Sequence, residues 1–69
     1  MQDFRTYRIE VLGQVDENDL NTMSPFKTTV IRAEAAATLF TIHTDQSGLI
    51  GMIRHLHGQG FVFLSVTRE

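Results

Sequence analysis

The chain contains no cysteine. That absence removes disulfide bridges, thiolate zinc sites, iron–sulfur clusters and cysteine nucleophiles together. No long apolar run is present either: FVFLSV, at residues 61–66, has the length of a strand and falls well short of the roughly 20 residues a membrane helix needs. Charge of one sign is not concentrated, with 6 Lys and Arg against 8 Asp and Glu, and a dedicated nucleic-acid binder would usually carry a basic patch. The opening MQDFRTYR places charges where a secretory signal requires an apolar segment. The expectation is a cytoplasmic protein with neither a membrane nor a nucleic acid as partner.

What the chain has is an ordinary globular composition, 42% apolar and 20% charged over 69 residues, which points to one folded domain spanning 1–69 with residues 1–5 frayed. A domain of this size buries only about 60% of the surface its unfolded chain exposes. Without disulfides, association with another copy is the common remaining source of stability.

Alternation in YRIEVLGQV sets Tyr7, Ile9, Val11 and Val15 against Arg8, Glu10 and Gln14, the pattern of a half-buried strand, with Gly13 marking a bulge or close backbone approach. Residues 16–26, DENDLNTMSPF, are rich in side chains that bond locally to the backbone and read as one long loop. At most a single helical turn is expected there, at residues 16–20, with Met23 and Phe26 tucked against the core. KTTVIRAE (27–34) and ATLFTIHT (37–44) are β-branched runs joined by a connection short enough only for antiparallel neighbours. The alanines at 33, 35, 36 and 37 favour a competing helical reading of that joint.

HTDQSGLIGMIRHLHGQGF, residues 43–61, holds a helix with both of its ends. Thr44 or Asp45 offers a capping oxygen, and Asp45 also complements the positive end of the helix dipole. Leu49, Met52, Ile53 and Leu56 recur at helical spacing on one apolar stripe, and Gly58 and Gly60 supply left-handed stop positions. A strand–helix–strand crossover leaves its strands parallel. With the first strand between them, the order becomes 2-3-1-4. The fold class expected is α+β, β-β-β-α-β, a four-stranded antiparallel-dominated sheet with one helix on one face, a split β-α-β arrangement.

Chemistry-bearing residues do not gather. His55 and His57 point about 200° apart on a helix and do not chelate one ion, while Arg54 and His55 favourably meet the negative end of the helix dipole. Asp16, Glu17 and Asp19 lack the ordered oxygen series, turn glycine and late Glu of a calcium loop. Ser24, Ser47 and Ser65 have no G-x-S-x-G setting. No catalytic residue, metal site or cofactor is therefore expected.

The surface is more informative. Simple alternation in the last strand sets Phe61 and Phe63 against Val62, Leu64 and Val66, while the third strand sets Phe40 and Ile42 against Leu39. One helix covers one face of a sheet, so the opposite face is expected to show a row of large apolar side chains that marks an interface. Leu39, Phe40, Ile42, Phe61, Val62, Phe63 and Leu64 are the candidate interface residues. Gly48 and Gly51 join them as a G-x-x-G where a partner backbone would approach closely. The expected partner is a second copy, in a homodimer or larger even-numbered assembly joined through that face or an edge strand, or else another protein.

Beyond these readings, the segment TDQSGLIGMIRHLHGQGFVFLSV resembles the end of a family of small bacterial proteins of uncharacterised function. Their motif, DQ-x-x-L-x-G-L/M-L/I followed by a short helix and G-x-x-x-L-S-V, is matched by Asp45, Gln46, Leu49, Gly51, Met52, Ile53, Gly60, Leu64, Ser65 and Val66. YRIEVLGQVD is similar to that family's opening strand, and Ile50 stands where the family often has a histidine. The resemblance implies a fold and no activity. About thirty residues are also similar to the first strand–helix–strand of ligand-sensing ACT domains, half of a ferredoxin-like fold. Asp45, Gly48 and Leu49 match, Ser47 replaces the usual proline, and a second helix is missing. The function expected is a non-enzymatic interaction or regulatory module, with an ACT-like small-molecule sensor as the alternative.

Overall fold

The computed structural model describes residues 3–23 and 26–69. Strand β1 (Arg5–Leu12) leads to helix α1 (Glu17–Met23), then to strands β2 (Thr28–Ala33) and β3 (Ala37–Thr44), helix α2 (Gln46–Gly58) and strand β4 (Phe63–Arg68). The strands form one antiparallel sheet in the order β2-β3-β1-β4. Both β3 and β4 run antiparallel to β1 between them, so α2 joins parallel strands in a split β-α-β unit. The α+β class and the strand order are those expected.

The segment at 16–26 departs from its expected form, because it holds a second helix that repeats the split unit between β1 and β2. Asp16 initiates α1: its Oδ1 accepts from the Asn18 amide at 3.1 Å and its carbonyl from the Leu20 amide at 3.1 Å. Glu17 and Asp19 complement the dipole of the first turn. Leu20 then drops into the core with no exposed surface. A seven-residue helix is too short to stand alone in water, and that burial holds it. The expected positions of the Met23 side chain and of Ser24 lie outside the described residues, as do residues 1 and 2 of the end expected to fray.

Asp45 caps α2 as expected, its Oδ1 accepting from the Gly48 amide at 2.7 Å. At the other end the Phe61 amide donates to the Leu56 carbonyl and the Gly60 amide to that of His57, a Schellman stop. Gly60 alone takes the left-handed conformation this needs, at φ +96°, while Gly58 remains the last helical residue.

The core lies between the sheet and the helices. Tyr7, Ile9 and Val11 of β1 and Phe40 and Ile42 of β3 meet Leu20, Met52 and Leu56. Leu49 packs half-buried against this cluster, whereas Ile53 is half-buried on the flank of α2. Ile53→Ala is accordingly expected to cost about 1 kcal/mol, an ordinary substitution rather than a core deletion. Thermal melts of the purified variant check this.

Candidate interaction surface

Cross-strand partners share a face, which fixes the two sides of the sheet. Ile9 lies opposite both Phe40 and Val66, and Val11 opposite Thr38 and Phe63, so these residues point toward the helices. The other face carries Arg8 opposite Thr41 and Thr67, Glu10 opposite Leu39 and Ser65, and Leu12 opposite Ala37. It is a largely polar face. The expected apolar row is not there, and the cause is a register shift between Glu10 and Val11 that leaves Leu64 as an extra residue in β4. Simple alternation fails at that point: Phe63 and Val66 come to one face, and Ser65 and Thr67 to the other.

The candidate residues therefore separate. Phe40 and Ile42 are buried beneath α2 and do not reach any surface of the folded chain. Leu39 is half-buried on the polar face, and Phe61 and Phe63 pack half-buried against the core. Val62 and Leu64, at 52% and 49% exposed, line the β4 edge together with Val66 at 41%. Gly48 faces inward, since a Cβ there would collide with Thr44 Oγ1 and stand 2.8 Å from Phe26 Cζ. Its requirement for glycine arises within the chain. Gly51 is exposed, with open space where a side chain would point.

The order β2-β3-β1-β4 leaves two edges, and they are treated differently. On β2, α1 takes the place of a neighbouring strand. The Thr28 amide donates to Asn21 Oδ1 at 2.7 Å, Asn21 Nδ2 donates to the Thr28 carbonyl at 3.3 Å, and the Val30 amide donates to Glu17 Oε2 at 2.7 Å. Asn21 and Glu17 stand four residues apart on one side of α1, which makes the double reach possible. The loop-like composition of residues 16–23 gives no sign of this plug.

Among the described residues no such cover meets β4. The Glu69 amide bonds Thr6 of β1 at 2.9 Å, so with a period of two the backbone groups of Val66 and Arg68 turn outward. No described residue hydrogen-bonds them. Residues 63–67 are uncharged and contain no proline, so two common protections of an exposed edge, lysine and proline, are missing.

Polar groups elsewhere are dispersed. Among the described residues no three of His, Asp and Glu converge as metal ligands. His43 sits near Thr6 Oγ1 at 3.3 Å and beside the Phe4 ring, while His55 and His57 are exposed on α2. Stoichiometric zinc is expected to leave the melting temperature and the His55 and His57 NMR signals unchanged; saturable broadening of both together would contradict this. A polar cleft of about 340 Å³ lies beside the start of α2, lined by residues including Arg5, Tyr7, Ser47 and Arg68, with Asp3 and Asp45 balancing its arginines. The hydroxyl of Thr44 is buried without a hydrogen-bond partner among the described residues and does not line that cleft. No helix among the described residues is long and apolar enough to cross a membrane. Comparison with protein-family models, curated proteins and solved structures finds no match to this chain.

Proposed function

We propose that this chain is a small, non-enzymatic interaction module of the cytoplasm that acts as a homo-oligomer or as a subunit of a larger assembly. The observation that carries the reading is the β4 edge, where outward backbone groups and the exposed Leu64 and Val66 lie on a strand that is uncharged from residue 63 to 67. Edges of this kind template pairing with another chain. The resemblance to the small bacterial family fits a module of this size and adds no activity of its own.

A second reading, an ACT-like sensor of small molecules, gains support from two features. The connectivity β-α-β-β-α-β with order β2-β3-β1-β4 is that of a ferredoxin-like sheet, supplying the helix the sequence resemblance lacked. The cleft of about 340 Å³ beside α2 is the place such a ligand would enter. Its charges balance, however, and it offers no evident selectivity.

Melting experiments separate the two readings by mass action. A self-associating chain melts at a higher temperature as its own concentration rises, whereas a sensor responds to ligand, by about 2.7 kcal/mol when the ligand is present at 100 times its Kd. The proposal expects the first response and none to a panel of amino acids and nucleotides. A concentration-independent melt with a clear shift for one compound would replace it with the sensor.

A further inference from the structure

We infer that a second copy of this chain docks by strand addition at β4, antiparallel and about a two-fold axis beside Val66, and that α1 closes the opposite edge so that assembly stops at two. The inference rests on the interaction-module reading and names its surface.

The two edges decide the stoichiometry. Asn21 and Glu17 already occupy the outward amide and carbonyl of Thr28 and the outward amide of Val30, which leaves β4 as the less protected edge for strand addition. A chain with one open edge forms a closed, isologous pair; two open edges would give a growing ribbon. The pair would carry one continuous eight-stranded sheet with both α2 helices on the same side.

The composition of β4 selects a second copy as occupant. A perpendicular two-fold keeps each face common to both copies, so only residues of the same face oppose one another. With the axis at Val66, the outward amide and carbonyl of each Val66 meet those of the other copy as a mutually bonded pair. Thr67 then faces Ser65 of the other copy on the polar side, and Arg68 lies opposite Leu64. No like charges are brought together, because residues 63–67 carry none. Val66, on the helix side, gains the Val66 of the other copy as an apolar neighbour.

The absence of native cysteine makes the test clean. Directly bonded antiparallel residues have Cα atoms about 5.5 Å apart, within the range a disulfide spans. Val66→Cys is expected to give a covalent pair under mild oxidation, while Ile31→Cys, exposed at the bulge of the plugged strand, gives little. Val66→Lys would set two ammonium groups opposite one another and weaken association by at least about 100-fold. Circular dichroism checks that this variant keeps its fold, which is expected since Val66 is 41% exposed. A wild-type pair that survives Val66→Lys and does not cross-link through Val66→Cys would overturn the β4 interface while leaving self-association standing. Species that grow beyond two with concentration would overturn the closure by α1. A wild-type monomer at every concentration would overturn this inference and the function proposed above together.

Discussion

Phe40→Ala is expected to remove a large share of the chain's stability at 25 °C and to lower its melting temperature sharply. The ring is fully buried on the central part of β3, opposite Ile9 on one side and Val30 on the other, beneath the helices. Removing a buried phenylalanine side chain costs about 3–5 kcal/mol in lost transfer energy and residual cavity. A chain of 69 residues, at roughly 0.05–0.15 kcal/mol per residue, has only about 3–10 kcal/mol in total. The substitution also separates two roles. A core position gives a strongly lowered melting temperature whatever the chain concentration, whereas an interface position would give a folded monomer with normal circular dichroism.

Leu20→Ala is the second large effect, at about 2–5 kcal/mol. Its consequence differs from that of Phe40→Ala because, among the described residues of α1, Leu20 is the one in the buried core cluster. Once the anchor is cut back, a helix of seven residues is not sustained by its own hydrogen bonds. Asn21 and Glu17 would leave the β2 edge with it. Native-state hydrogen exchange is therefore expected to show the Thr28 and Val30 amides losing protection first, ahead of Ile9 and Phe40 in the sheet centre. Uniform loss across the sheet would mean that α1 does not open as a separate unit.

Much of this architecture is legible in the residues, for identifiable reasons. Tyr7, Ile9 and Val11 alternate cleanly with polar neighbours, and β1 follows. Asp45 before an apolar stripe, with Gly60 after it, marks both ends of α2, and the crossover rule then places β1 between β3 and β4. What escapes notice is carried by long-range contacts. DENDLNTM has the composition of a loop, and it becomes a helix because Leu20 reaches the core and Asn21 and Glu17 find the β2 backbone. The stripe on α2 centres on Met52 and Leu56 rather than on Ile53, a rotation of one residue that periodicity does not resolve. Gly48 suggests an external contact by its place in G-x-x-G, yet its neighbours are Thr44 and Phe26.

The bulge at Leu64 has the widest effect on the surface. Period-two reasoning carries through a regular strand, but one extra residue exchanges the faces of everything beyond it. The open sheet face thus becomes polar, and the exposed apolar residues Val62, Leu64 and Val66 gather along the β4 edge.

Sedimentation equilibrium of the purified chain, from micromolar to submillimolar concentration, tests self-association most directly. A single chain has a mass of 7.8 kDa. The account predicts a reversible shift from that value to twice it, with no heavier species at the upper end. A mass that stays at one chain throughout would contradict it.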